Sequence, residues 1–341
     1  MTRILVLPNT SLWEEIVTPE AEARLSAIGE VDRNLEAANL PRDEVLERIA
    51  TADAVLTSWG APVFDAELLA RAPNLKVIAH AAGTIKPFVT PVAFEKGVAV
   101  THAAAVIADS VGEWALTVTL GGLRRVVDFD RIMRAAGSGE RPRGWGAEKR
   151  AAGYGEELFG KRVGVVAASL TGKAYVKLLR PFGCDVMIYD PYLSPEGAAA
   201  LGARVVPELA ELMSTSDIVS NHAPTTPETT GMISAEQLAR LRDGALFVNT
   251  ARAAAIDYPA LTAELVSGRI RAALDVFPKE PLDDASPLRD LPNVLLSPHV
   301  AGATVESRRR LGTAMIDEIA RFFAGQPMQY AVTAERLATM A

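Results

Sequence analysis

The chain has 341 residues, 49% of them hydrophobic, which is enough for two cores, because a single core stops growing near ~250–300 residues. Acidic residues number 42 against 35 basic ones, and a net charge of −7 with no long basic run excludes the electrostatic footprint of a nucleic-acid-binding protein. The single cysteine, Cys184, excludes an intrachain disulfide framework and a thiolate metal cluster; no metal is expected, and the expected compartment is a reducing one, the cytoplasm.

MTRILVLPNT enters a strand-like run directly, and no stretch of ~18 uninterrupted apolar residues follows, so neither secretion nor membrane insertion is expected. Short runs rich in Val, Ile and Leu then recur at Arg3–Leu7, Ala54–Thr57, Leu75–Ala79, Arg162–Val166, Asp185–Tyr189, Asp217–Asn221, Ala245–Asn249 and Val294–Ser297. Such runs read as parallel strands buried on both faces. Helix-period stretches lie between them at Pro19–Ile28, Asp43–Ala50, Lys173–Phe182 and Pro259–Ser267. The alternation predicts βαβ units and doubly wound sheets. It breaks at a long helix predicted from Val106 to about Val127, at a Gly- and Arg-rich loop or arm from Ala135 to Gly155, and at a second long helix over about Thr304–Ala324.

The segment GKRVGVVAASLTGKAYVKLLRPFGCDVMIYDPY has the layout of a dinucleotide-binding unit, with strand, tight turn, helix, second strand and an acidic residue. Asp190 follows Gly172 by 18 residues, near the ~20 expected of a carboxylate that accepts from the adenosine ribose hydroxyls. It would repel a 2′-phosphate, and Pro191 and Tyr192 offer no charge to bind one, so NAD is favoured over NADP. In the turn, GxGxxG reads Ala167-Ala168-Ser169-Leu170-Thr171-Gly172, and only the third glycine survives. The expectation is that Ala167 adopts an ordinary negative φ and that the Ser169 hydroxyl donates to a phosphate oxygen. The pyrophosphate would then lie at the start of a helix beginning near Thr171, with Leu170 and Thr171 beside it.

Four later segments, NHAPTTPETTG, LFVNTARAAAID, AALDVFPKEPL and SPHVAGAT, follow in order. Together with the dinucleotide unit they resemble the D-isomer-specific 2-hydroxyacid dehydrogenases, most strongly from Gly160 to Thr304. The resemblance implies an NAD-dependent transfer of hydride between nicotinamide and C2 of a small 2-hydroxy or 2-oxo acid. Arg252, in NTAR, matches the arginine that grips the substrate carboxylate, a task suited to a planar fork of donors. His299, in SPH, matches the general acid and base, and Glu280, in the EP dipeptide, matches the carboxylate that orients this histidine and favours its protonated form. Asp275 matches the residue facing the nicotinamide carboxamide, and Ala223, Pro224, Thr229, Thr250, Ala251 and Gly302 fall around the cofactor. Without the motifs, Arg252 would be read as a surface ion-pair partner and Glu280 as a solvated carboxylate beside Lys279.

Nearer the N-terminus, HAAGTIKPFV stands where the family has a glycine-rich turn followed by Asp-Asn. Ala82, Gly83, Thr84 and Ile85 are expected to offer backbone N–H groups to the substrate carboxylate. Lys86 either adds a positive charge near the substrate or pairs with a carboxylate elsewhere. Trp59 either rims the substrate mouth or packs between domains. His80, His102 and His222 read as hydrogen-bonded structural residues. The expected architecture is two Rossmann-like α/β domains with the active site in the cleft between them. Residues 1–104 and 302–341 would form the substrate domain and 105–301 the NAD-binding domain, in a homodimer contacting through the Ala135–Gly155 arm. The alternative is a dinucleotide-sensing regulatory protein of the same fold with little or no turnover, which the altered turn favours and the intact Arg252, Glu280 and His299 oppose.

Overall fold

Strands that are apolar on both faces need cover on both faces, and helices supply it in each of two separate sheets. The computed structural model describes residues 1–134 and 153–340, the side chains of Ala338 and Thr339 excepted, so most of the expected Ala135–Gly155 arm lies outside the described residues. The chain divides into unit 1, Met1–Ala108 with Ala303–Ala341, and unit 2, Asp109–Gly302.

In unit 1 the strands are β1 (Thr2–Val6), β2 (Gly29–Arg33), β3 (Ala54–Thr57), β4 (Val77–His80) and β5 (Ala99–His102), in the order β5-β4-β3-β1-β2 and all parallel. Side chains alternate across the pleat. Ile4 and Val6 therefore pack with Trp13, Leu25, Leu311 and Met315 on one face, while Leu5 and Leu7 pack with Val45, Ile49 and Leu68 on the other.

Unit 2 contains β6 (Arg162–Val166), β7 (Asp185–Tyr189), β8 (Arg204–Val205), β9 (Ile218–Asn221), β10 (Leu246–Asn249), β11 (Arg271–Leu274) and β12 (Val294–Leu296). Their order is β12-β11-β10-β9-β6-β7-β8, again parallel throughout. The sequence order reverses direction between β6 and β9 in unit 2 and between β1 and β3 in unit 1. In open α/β sheets such switch points, at the carboxyl ends of the strands, are where ligands bind.

Several elements differ from the sequence expectation for physical reasons. β2 and β11 fall outside the expected runs, because GEVDR is a polar edge strand and RAAL carries small side chains, so neither gives a strong apolar run. The final strand, β13 (Ala331–Val332), adds to β5 antiparallel and covers that edge of the sheet. The predicted helix from Val106 to Val127 is two helices, Ala104–Arg124 and Val126–Arg134, separated by Arg125 at φ 54. Apolar periodicity does not register a single left-handed residue. The second long helix, Val305–Phe323, starts at a capping box in which Thr304 and Ser307 each bind the other's backbone N–H.

A buried carboxylate fixes that helix in unit 1. Glu318 is 1% exposed, and its oxygens accept from the backbone N–H of Gln329 (3.0 Å) and Tyr330 (2.9 Å) and from the Thr101 hydroxyl (3.2 Å). Glu318→Ala leaves these donors without their acceptor, and we expect a loss of about 2–4 kcal/mol in urea unfolding of the protein. An unchanged midpoint would show that water replaces the carboxylate at no cost.

Candidate active site

Parallel strands release the chain at the same edge, so residues far apart in sequence meet there. In unit 2 this edge receives the turn after β6 with Ser169, Leu170 and Thr171, Asp190 after β7, and Ala223 and Pro224 after β9. It also receives Thr250, Ala251 and Arg252 after β10, Asp275 and Glu280 after β11, and His299 with Gly302 after β12.

The turn after β6 differs from expectation at two points. Ala167 has φ 73, so it takes the left-handed conformation usually left to the first glycine of the fingerprint, with its N–H donated to the Tyr189 carbonyl at 2.8 Å. Ser169 gives its hydroxyl hydrogen to the His222 carbonyl (2.8 Å) rather than leaving it for a phosphate. The same oxygen accepts the N–H of Gly172 (3.3 Å) as the N-cap of the helix Leu170–Leu179, which begins one residue before the expected Thr171. Gly172 is needed for close approach, since a Cβ there would lie 2.2 Å from the Ala167 carbonyl oxygen.

His222 ties this turn to β9. Its Nε2 meets the Ser220 hydroxyl at 2.8 Å and its Nδ1 the Thr171 hydroxyl at 3.2 Å, and full burial pushes the imidazole down to about 3, so it is neutral at physiological pH. Asp190 accepts from the backbone N–H of Ala168 (2.8 Å) on one oxygen and of Tyr192 (2.9 Å) on the other, which leaves each oxygen a further lone pair.

Two buried asparagines at strand ends shape the next loops. Asn221 donates to Asn249 (3.1 Å); its own oxygen takes the N–H of Ala223 (3.2 Å), and the oxygen of Asn249 takes that of Ala251 (3.2 Å). Thr229 uses its hydroxyl inside its own loop, on the Pro224 carbonyl at 2.6 Å. Arg252 is half-buried, with Nη1 on the Ala251 carbonyl at 2.7 Å. Burial lowers its pKa, and the charge of Glu280 opposes that shift.

His299 and Glu280 meet directly, with Nδ1 to Oε2 at 2.7 Å, while Oε1 of Glu280 takes the Phe277 N–H at 3.0 Å. Both carboxylate oxygens are therefore fixed, and the imidazole is held with Nε2 turned away from its partner. His299 itself has φ 55, a left-handed backbone. Asp275 holds it there: its carbonyl takes the His299 N–H (2.9 Å), and its carboxylate, 1% exposed, takes the Ser297 hydroxyl (2.5 Å) and the N–H groups of Val300 and Ala301 (2.9 Å each).

These residues fit a dinucleotide. A tight turn leads into the first free N–H groups of a helix, Asp190 keeps acceptor capacity, and the Thr250 hydroxyl is buried without a hydrogen-bond partner among the described residues. Residues 116–301 match the model of the "D-isomer specific 2-hydroxyacid dehydrogenase, NAD binding domain". The chain belongs to the D-isomer specific 2-hydroxyacid dehydrogenase family.

Among its relatives is the D-3-phosphoglycerate dehydrogenase of Mycobacterium bovis, 37% identical over 286 residues, which cover 84% of this chain and 52% of that protein. The chain thus spans about half the length of that relative. The glyoxylate reductase of Thermofilum pendens is 36% identical over 271 residues, covering 79% of this chain and 78% of its own. A solved structure from Thermus thermophilus superposes with a TM-score of 0.81 at 30% identity, covering 97% of this chain and all (100%) of that one.

The remaining residues singled out in this family member lie on unit 1. Ala82, Gly83, Thr84 and Lys86 form the turn after β4, and Trp59 follows β3. Burial lowers the pKa of Lys86. Beneath the turn, His80 and His102 are register partners on β4 and β5, and burial pushes them down to about 3 and about 4, so both are neutral, while the backbone of Thr84 and of Gly83 in the turn above favours the charged forms of His80 and His102 respectively. His80 also packs on the Phe88 ring at 4.7 Å. Sequence reasoning missed Asn221 and Asn249; the signal was an asparagine closing each of two apolar runs, IVSN and LFVN.

The positive φ of Ala167 yields a test. A left-handed L-residue costs roughly 1–2 kcal/mol, and a β-branched one more. Ala167→Val is expected to lower unfolding free energy by about 1–2 kcal/mol, whereas Ala167→Gly, unusually for a glycine substitution, is expected to lower it not at all. Equal losses in both variants would place the residue in an ordinary conformation.

Proposed function

We propose that the protein is an NAD-dependent D-2-hydroxyacid dehydrogenase acting on a small 2-oxo or 2-hydroxy acid, and the observation that carries this reading is the 2.7 Å contact of His299 with a doubly fixed Glu280. The bound nicotinamide supplies or accepts the hydride at C2. In reduction, His299 gives the proton on Nε2 to the developing C2 alkoxide, and solvent returns it afterwards; oxidation runs the same transfers in reverse. Glu280 stabilises the imidazolium and fixes its plane. Arg252 binds the substrate carboxylate and the 2-oxygen through two donors of one rigid fork. On unit 1, the turn of Ala82, Gly83 and Thr84 offers backbone N–H groups of the kind that suit a carboxylate.

Asp190 binds the adenosine ribose. The backbone around Ser169, Leu170 and Thr171 receives the pyrophosphate, with Ala223, Pro224, Thr229, Thr250, Ala251 and Gly302 lining the rest. Asp275 acts in two ways on this reading, facing the carboxamide and holding the His299 loop. The regulatory reading is not favoured, since such a protein has no need of an oriented acid–base pair. Among the described residues, no helix is long and apolar enough to cross a membrane. We place the protein in the cytoplasm, in keeping with the one free cysteine, and as a homodimer, which analytical ultracentrifugation tests.

Arg252→Ala is expected to lower kcat/KM for 2-oxo acid reduction by about 10³-fold or more with NADH affinity nearly unchanged, and Arg252→Lys is expected to be poor as well, because a point charge does not replace a bidentate clamp. His299→Ala is expected to lower kcat by roughly 10²–10⁴-fold. Near-parent kinetics in either position removes that residue from the mechanism.

Cofactor choice is read by calorimetric titration. The parent is expected to bind NADH more tightly than NADPH by about 10-fold or more, and Asp190→Ala to weaken NADH and narrow that gap. Indifference of the parent to the 2′-phosphate, with no effect of Asp190→Ala, overturns the ribose assignment.

A further inference from the structure

One peptide group in unit 2 links the acid–base pair to a residue that has so far had no task. The N–H between Val276 and Phe277 holds Oε1 of Glu280 at 3.0 Å, and the C=O of the same group, that of Val276, accepts the hydroxyl hydrogen of Tyr258. Val276 is buried, so its carbonyl depends on a protein donor rather than on bulk water. A peptide is planar and trans, with its C=O and N–H pointing opposite ways in one stiff plane. Fixing the oxygen at Tyr258 therefore fixes the direction in which the hydrogen points at Glu280. The two bonds also polarise the same amide, so each strengthens the other.

Tyr258 comes from the arginine side of the site. It opens the helix Tyr258–Val266, six residues beyond Arg252, and its ring is buried. The Asn249 side chain hydrogen-bonds the phenol oxygen and opposes the upward push of burial on its pKa. The same asparagine shapes the Arg252 loop: its oxygen takes the Ala251 N–H at 3.2 Å, and its amide donates to the Arg252 carbonyl at 3.4 Å. Its backbone carbonyl takes the Asp275 N–H at 3.0 Å. The phenol thus stands between the loop that presents Arg252 and the loop that presents Glu280.

A side chain that only filled this corner of the core would need no hydroxyl, since phenylalanine occupies nearly the same volume without a polar group to desolvate. Here the hydroxyl is used on both sides.

We propose that Tyr258 is a positioning residue of the acid–base pair. Its hydroxyl sets the Val276–Phe277 peptide plane, that plane sets Glu280, and Glu280 sets the His299 ring, while Asn249 ties the same hydroxyl to the Arg252 loop. The catalytic consequence rests on the reductase reading above; the placement of Glu280 does not.

The test uses Tyr258→Phe, which keeps the ring and removes one oxygen, with Leu261→Val, a buried core change on the same helix, as the control for lost packing. With phenylalanine labelled in ¹⁵N, amide exchange of Phe277 is read against that of Phe247 on β10 in the same sample. The Phe277-to-Phe247 ratio is expected to rise by about 10-fold in Tyr258→Phe and to stay at the parent's value in Leu261→Val. In reduction of glyoxylate or hydroxypyruvate with NADH, Tyr258→Phe is expected to lower kcat by about 5–10-fold, with KM and NADH affinity within about 2-fold of the parent. Placed in a Glu280→Ala background, the same change is expected to lower kcat by no more than about 2-fold, because a residue that acts through Glu280 loses its effect once that carboxylate is gone. An unchanged exchange ratio in Tyr258→Phe overturns the proposal, and so does an equal fold loss of kcat in the two backgrounds. A parent that reduces neither acid counts against the reductase reading alone, and the exchange ratio then decides for or against Tyr258.

Discussion

The buried carboxylate of Asp275 is the constraint on which the catalytic edge of unit 2 depends. It sits just past β11 and collects the Ser297 hydroxyl and the N–H groups of Val300 and Ala301, and its backbone carbonyl takes the N–H of His299. Left-handed backbone at a histidine costs roughly 1–2 kcal/mol. Hydrogen bonds to a charged acceptor contribute about 1.5–3 kcal/mol each, so the Asp275 contacts outweigh the strain at φ 55. The loop is rigid for that reason, and Glu280 needs only one contact to set the imidazole plane. A site built this way acts from a fixed geometry rather than from a flexible side chain.

The dinucleotide turn shows how a fingerprint can be rebuilt from other residues. Glycine ordinarily supplies left-handed backbone and room; here Ala167 accepts the first and Gly172 keeps the second. Ser169 serves as the helix cap and as a tether to His222, and Ser220 and Thr171 occupy both ring nitrogens of that histidine. A buried network of this kind is stable when each member has its partner. The turn is therefore tied to the residue that follows β9, through the carbonyl and the ring of His222.

The two sheets use their switch points differently. In unit 2 the crevice between β6 and β9 is lined by the Ser169 turn and the His222 loop, a neutral hydrogen-bonding wall. In unit 1 the corresponding place, between β1 and β3, carries Trp59 with a cation on its face. The same topological rule thus positions a dinucleotide-fitting edge in one unit and a charged edge in the other, and the side chains at the strand ends decide which.

Much of this was legible in the sequence. Apolar runs gave the parallel strands because burial on both faces leaves no polar alternation, and the spacing from Gly172 to Asp190 together with four ordered motifs gave the family and NAD. Strands with weak apolar content, GEVDR and RAAL, were invisible, since pairing rather than composition makes them strands. Backbone signs were likewise hidden: Ala167 and His299 take their left-handed φ beside backbone hydrogen bonds to Tyr189 and Asp275, partners distant in the chain. Single residues and their spacing therefore fixed the chemistry that each strand end offers. Only the tertiary structure decided which side chains share a hydrogen bond, turned Ser169 from a phosphate donor into a cap, and brought Arg308 over Trp59 across 249 residues of sequence, because these are contacts between elements and no local pattern encodes them.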